Sequence, residues 1–394
     1  MSKLQEILRS ALYELPKLPK YKRVALKHIM TCKTEECGTI YRRCDHCENS
    51  TYQYKSCGSR YCNQCGYLRK SIWVDERLHE TINTEYFFTT FTIPSRLHAL
   101  FLYNERLCYK LLFKASSDAM KAAMKGQYGL GLEVGFMSVL HTNNQELGYH
   151  PHIHMLIPGG GISEDHIEWV PSRKKYLVKE SILKYLFRIK LSQELKQIYA
   201  KGLLKIPPDY KDFKNSDTFY FFVYGKEEQW NLEIKPCGNN AEYVIQYLGR
   251  YVNKTAISDE RIIKVDEDRV TIRVKDRTTE DYKLVELKKS EFIRRFFLHI
   301  LPKGLGRIRY FGFLSCRFKT VMLSLLETLL KPQGQHLSKK ALTESLKLIL
   351  LKFIIKSGPP CDVCRIGHLK FSNCNTGVIG EVKAVLFGPR LGIP

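Results

Sequence analysis

The chain has 394 residues, of which 44% are apolar and 26% charged. That is enough for two or three packed cores and is the make-up of an ordinary globular protein, not a disordered or fibrous one. Its formal net charge is +23, from 63 Lys and Arg against 40 Asp and Glu. The excess sits at the two ends, +8 over residues 1–70 and +12 over residues 291–394, leaving +3 for the middle. Basic ends around a near-neutral middle point to a polyanion, nucleic acid first; basic faces that are merely solvated are the bland alternative. The most apolar stretch, 346–356, is short and interrupted by Lys347, Lys352 and Lys356, which argues against a membrane span. Residues 1–12 lack the apolar run of an export signal, so a cytoplasmic protein is expected.

Residues 1–30 read as helical, with Leu4, Ile7, Leu8 and Leu12 on one face and Pro16 and Pro19 as interruptions. A cysteine-rich module with little aliphatic core follows over 32–66, then a helix near 68–82. Tyr86–Ile93, aromatic and β-branched and closed by Pro94, reads as a strand. Residues 97–125 read as helix. Val134–His141 and Pro151–Ile157 read as strands, joined by a polar stretch into an antiparallel hairpin that ends at Pro158 and the glycines 159–161. A helix is expected over 179–200, a strand over 230–234 and a helix over 241–254. A meander of Ile262–Val265, Val270–Val274 and Tyr282–Leu287 turns at Asp266–Asp268, and the basic tail from 288 reads as mostly helical. Strands and helices mix without regular alternation, so the fold class is α+β with antiparallel pairing.

Seven of the thirteen cysteines fall between 32 and 65, and without an export signal metal is a better explanation than disulfides. Cys44-x2-Cys47 and Cys62-x2-Cys65, fourteen residues apart, match two knuckles of one tetrahedral structural zinc site, with a short hairpin over 48–61 between them. A module this small buries too little apolar area to fold alone, so the metal would supply its folding energy. Cys32, Cys37 and Cys57, with His28 and His46, remain for a second zinc or an alternative ligand set. Near the C-terminus Cys361-x2-Cys364, His368 and Cys374 are either a further metal site or free thiols.

The stretch HPHIHML at 150–156 places His152 and His154 on one strand face, able to reach one metal ion, with Ile153 turned to the core. The alternative is a pair of surface histidines. A third ligand is expected from the neighbouring strand, His141 first, with His150 and Gln145 behind it. Open positions on such an ion, left for phosphate oxygens, would suit Mg or Mn. In YVIQYLGRYVNK at 243–254, Tyr243, Tyr247 and Tyr251 form one helical stripe. The stripe is either core or, beside a metal that polarises a phosphate, nucleophilic. Arg250 and Lys254 flank it and could hold phosphates.

With these motifs in order, the chain resembles the rolling-circle insertion-sequence transposases of the HUH superfamily, in the two-tyrosine branch with an N-terminal zinc-binding domain. The likeness runs through RRCDHCE (42–48), SCGSRYCNQC (56–65), FTTFTIPSRL (88–97), VLHTNNQELGYHPHIHMLIPGGG (139–161), IQYLGRYVNKTAISDERI (245–262) and EFIRRFFLHILPKGLGRIRYFGFLS (291–315). The resemblance implies an HUH nuclease domain with a central antiparallel sheet and flanking helices. It implies His152 and His154 as ligands of a catalytic Mg or Mn ion, and Tyr247 and Tyr251 as nucleophiles. The implied reaction is nicking and rejoining of single-stranded DNA at mobile-element ends through a 5′-phosphotyrosine, in a bacterial cytoplasm at the nucleoid. Tyr243 lies outside the family's pattern. Val252, Asn253 and Lys254 stand where the family often has Thr-His-Arg, Tyr61 and Asn63 where His and Pro are usual, and Cys37 where glycine is common. Three consecutive domains are expected: a helical arm and zinc module over 1–80, the nuclease over 81–287, and the basic tail over 288–394. A replication initiator or relaxase would share the chemistry, and a decayed copy would only bind DNA through zinc.

Overall fold

The computed structural model describes residues 1–11, 18–65, 73–74, 76–78, 80–82, 84–127, 133–210, 213, 215–237, 249, 256–276, 279–330 and 358–376. Two helices, α1 (Lys3–Ser10) and α2 (Lys20–Thr31), lead into a hairpin of β1 (Gly38–Cys44) and β2 (Ser50–Tyr54). Strand β3 (Tyr86–Thr92) is followed by α3 (His98–Tyr103) and the long α4 (Glu105–Gln127). Then come β4 (Phe136–Asn143), β5 (Tyr149–Pro158), the short pair β6 (Gly160–Ile162) and β7 (Trp169–Pro171), α5 (Glu180–Ala200), α6 (Ser216–Tyr224) and β8 (Asn231–Pro236). The chain continues through the meander β9 (Ile262–Val265), β10 (Arg269–Lys275) and β11 (Tyr282–Lys288). The last described elements are α7 (Lys289–Leu298), β12 (Ile308–Phe311), α8 (Lys319–Leu330) and β13 (Leu369–Thr376).

The centre is a five-stranded antiparallel sheet in the order β12-β4-β5-β3-β8, with helices packed against it; the α+β reading therefore holds. Strand alternation divides its side chains between two faces. Phe87 and Phe91 of β3, Phe136 and Leu140 of β4, and Ile153, Met155 and Ile157 of β5 turn to one side. There they meet Leu112, Phe113, Met120 and Met124 of α4. Helix α5 adds Leu183, Phe187, Leu191 and Leu195, spaced four apart so that they form one stripe against the sheet. The other face carries a smaller apolar patch, Phe88, Met137, Val139 and Leu156 under Trp73 and Leu78, and beyond that patch it carries histidines.

A second core joins α1, α2, the meander and α7 through Leu4, Ile29, Ile272, Phe292 and Phe296, with Cys32, Cys37, Cys57 and Cys62 in the same cluster. Helix α1 is fixed by a capping box between Ser2 and Gln5. The buried Gln5 amide also donates to the carbonyls of Ile29 (2.9 Å) and Cys32 (2.8 Å), closing the end of α2.

The meander has the expected strands, and Asp266 N donates to Arg269 O at its first turn. Helix α6 was not expected. Its aromatic run SDTFYFFVY has no helical period, and its start is set by an Asn215–Thr218 capping box. The segments expected as consecutive domains are interleaved. Helix α7, at the start of the tail, packs in the core of the N-terminal module, β12 is an edge strand of the central sheet, and β13 pairs with β1. No helix among the described residues is long and apolar enough to cross a membrane.

Candidate nuclease site and metal centres

The β4–β5 pairing sets His141 directly opposite His152, and the β3–β5 pairing sets Thr90 opposite His154. The three imidazoles therefore share the sheet face away from the main helices. Their ligand nitrogens all lie within 4.8 Å of one another, and Nε2 of His152 is 3.1 Å from Nε2 of His154. At a bond length near 2.1 Å, two nitrogens so spaced subtend about 95° at one ion, within the range of octahedral and distorted tetrahedral sites.

The remaining ring nitrogens suit that role. Nδ1 of His152 is 2.6 Å from the His150 carbonyl, an atom that only accepts; Nδ1 must carry the proton, and Nε2 carries the lone pair. Nδ1 of His154 is 3.1 Å from Thr90 Oγ1, which can accept a hydrogen bond from it, and the ring stacks on Phe88 with centroids 4.9 Å apart. His152 is only 5% exposed, so its orientation is fixed by packing.

The hairpin that carries these residues is held at its tip. Leu147 sits in the turn with φ of +60°, fully buried in the second core. The same turn is gripped by three side chains. Arg295 donates to the Glu146 carbonyl at 2.9 Å, Arg261 donates to the Gln145 carbonyl, and His299 Nε2 donates to the Leu147 carbonyl at 2.9 Å. On the core side, the Tyr109 and Tyr149 hydroxyls are 2.7 Å apart and tie β5 to α4.

The histidines line a cleft of about 770 Å³, together with Glu233, Lys275, Arg261 and Arg307 among others. Nη1 of Arg261 is buried with no hydrogen-bond partner among the described residues, which suits it to a phosphate oxygen. Burial pushes Arg307 down to about 10, still cationic at neutral pH. Sequence reasoning singled out neither arginine. Arg261 lies far along the chain from the histidines, and only the meander brings it to the cleft. Gln145 and His150, the reserve candidates for third ligand, line the cleft but are not in the three-nitrogen group. Tyr243, Tyr247, Tyr251, Arg250 and Lys254 lie outside the described residues.

The expected zinc set of Cys44, Cys47, Cys62 and Cys65 is not brought together. Cys62 and Cys65 converge with Cys32 and Cys57, while Cys44 and Cys47 converge with Cys361 and Cys364. The hairpin is the reason. Its turn is the Cys44-x2-Cys47 knuckle itself, and the other cysteines lie past the open end of the seven-residue strand β1, about 20 Å away. The hairpin thus flanks the first knuckle instead of filling 48–61. In the first group Sγ of Cys65 is 3.4 Å from Cys32 and 3.7 Å from Cys57, and the Cys57 amide points at Cys32 Sγ. Cys37, His28 and His46 belong to neither group.

Comparison with known proteins decides the family. A model described as "Putative transposase" matches residues 135–321, and one described as "Transposase zinc-binding domain" matches residues 4–93. A "Putative transposase y4qJ" of Sinorhizobium fredii is 33% identical over 312 residues, covering 78% of each chain. The chain belongs to the rolling-circle insertion-sequence transposases. The "Transposase for insertion sequence element IS801" of Pseudomonas savastanoi pv. phaseolicola is 28% identical over 301 residues, 73% of this transposase and 69% of that relative. No solved structure matches. The histidine hairpin lies inside the transposase match, and the cysteine group of Cys32, Cys57, Cys62 and Cys65 lies inside the zinc-binding match. The transposase is thus an enzyme acting on DNA and carries a zinc-binding domain.

Proposed function

We propose that this transposase nicks and rejoins single-stranded DNA at the ends of its insertion sequence, through a covalent 5′-phosphotyrosine. The observation that carries the reading is the convergence of His141, His152 and His154 in a cleft that also holds Arg261 and Arg307. His152 and His154 would hold a Mg or Mn ion, with His141 as third ligand; such an ion, when bound, supplies charge stabilisation at the scissile phosphate. Tyr247 or Tyr251 attacks the phosphorus through its Oη. The P–O3′ bond breaks, the 3′-oxygen leaves and takes up the proton that the tyrosine Oη gives up, and the phosphoryl group stays on the tyrosine. Rejoining reverses the exchange, so no ATP is needed. Arg261 and Arg307 hold non-bridging phosphate oxygens, and Arg250 and Lys254 contact the neighbouring backbone. The four thiols of Cys32, Cys57, Cys62 and Cys65 hold a structural zinc ion that fixes the N-terminal module on the meander.

The test uses end-labelled single-stranded DNA carrying the element's ends, with Mn or Mg. A DNA–protein adduct that survives denaturing electrophoresis is expected from the unaltered chain, and none from Tyr247→Phe/Tyr251→Phe. The single changes assign the first and second cuts. Binding without any adduct, on an authentic end and with either metal, would overturn the reading.

A further inference from the structure

The family's zinc-binding match ends at residue 93, yet the second cysteine group takes two of its four thiols from beyond residue 360. We propose that Cys44, Cys47, Cys361 and Cys364 hold a second structural zinc ion, and that the zinc-binding domain is therefore assembled from both ends of the chain. The two halves of the site are built alike. Each is a Cys-Asp-x-Cys knuckle, Cys44 to Cys47 and Cys361 to Cys364, followed by a residue in the left-handed region, Glu48 at φ +59° and Arg365 at φ +57°. In each, the first cysteine's amide closes the loop at 2.8 Å, onto the Asn49 carbonyl in one and the Gly367 carbonyl in the other. Amides are aimed at sulfur in both, from His46 and Cys47 to Cys44 Sγ and from Gly367 to Cys364 Sγ.

Across the knuckles, Sγ of Cys44 is 3.7 Å from that of Cys364, and Sγ of Cys47 is 3.7 Å from that of Cys361. That is far longer than the ~2.05 Å of a disulfide. It is close to the roughly 3.8 Å edge of a sulfur tetrahedron with zinc–sulfur bonds near 2.3 Å. The surrounding backbone is fitted to this approach. Strand β13 pairs with β1 from Gly38 to Cys44, and the Asp45 amide and carboxylate both bond to the backbone of His368. A Cβ on Gly367 would come within 2.6 Å of Cys44 Sγ and 2.7 Å of the Asp45 carboxylate, so only glycine fits where the knuckles meet. Apolar packing does not explain the junction. Its buried cluster is Cys44, Cys361 and Leu369, too little area to hold two distant segments together. Four thiolates in a closed tetrahedron suit zinc, and binding releases the thiol protons to solvent.

The experiment counts zinc released by a thiol-blocking reagent, in the full chain carrying His152→Ala/His154→Ala so that the histidine cleft adds none. Two zinc ions per chain are expected, falling to one with Cys361→Ser/Cys364→Ser. A count of one in the parent, an unchanged count of two in the serine variant, or iron in place of zinc overturns the proposal. Should the serine variant not fold, cadmium exchanged into the unaltered chain decides: two distinct tetrathiolate ¹¹³Cd resonances support it and a single one overturns it. Neither readout depends on nicking, so this proposal stands or falls apart from the phosphotyrosine reading.

Discussion

His299 shows how one buried side chain governs the site it never enters. It lies at the end of α7, accepts from Thr142 Oγ1 at Nδ1 and donates from Nε2 to the Leu147 carbonyl, bracing both the histidine strand and its turn. Burial pushes it from the usual 6.5 down to about 4. The unfolded chain therefore takes up a proton below pH 6.5 that the folded chain refuses until about pH 4. Stability is fully present above pH 6.5 and is lost as pH falls, about 3 kcal/mol in all and about 2 by pH 5. Glutamine can replace both hydrogen bonds but cannot titrate. His299→Gln should stay near the parent's stability at pH 7 and lose about 2 kcal/mol less than the parent between pH 7 and 5, in urea denaturation. Equal losses in the two chains would assign the acid sensitivity elsewhere. Nothing in the sequence marked His299, because its partners are more than 150 residues away. His152 and His154 stood out because strand parity alone puts them on one face. His141 needed only the hairpin register between adjacent strands.

At the scale of elements, most of what carries a local signal was read, α6 excepted, and what depended on distant pairing was not. Strands β3, β4, β5 and the meander carry their own signals in aromatic and β-branched runs broken by turn residues. The cysteine knuckles were visible for the same reason, since Cys-x2-Cys is a local turn. Which knuckle shares an ion with which is a tertiary question, and Cys47 meets Cys361 across 314 positions. Edge strand β12 is similarly short and unmarked, placed only by its ladder to β4. The two faces of the central sheet also separate stability from chemistry. Leu191, fully buried on the α5 stripe, packs on the face opposite the histidines. Leu191→Ala should cost about 3 kcal/mol of unfolding free energy, as a cavity in a tight core does. It should leave Mn affinity at the cleft within about twofold, by titration at a temperature where the variant is folded. A large loss of Mn affinity would mean that the sheet transmits core strain to the site.

For the whole molecule, interleaving is the organising fact. The basic ends, separated by more than 200 residues of near-neutral chain, are drawn together where β13 pairs with β1 and where α7 enters the N-terminal core. Among the described residues, Arg42 and Arg43 of β1 and Lys370 of β13 are thereby brought together on the cysteine-built sheet. An exposed aromatic row, Tyr41, Tyr52 and Tyr54, lies on that sheet, with neighbouring rings 6.4 and 5.7 Å apart. Such a surface suits single-stranded DNA, backbone on the cations and bases on the rings. If about six phosphates are neutralised there and in the cleft, the slope of log K against log salt on single strands should be near −4. Affinity for a short single-stranded end should then fall about 300-fold between 50 and 200 mM salt, measured by fluorescence anisotropy. Tyr52→Ala should weaken binding at every salt concentration without changing the slope, because stacking releases no counterions. A slope near zero would mean that the net charge of +23 serves something other than the DNA backbone.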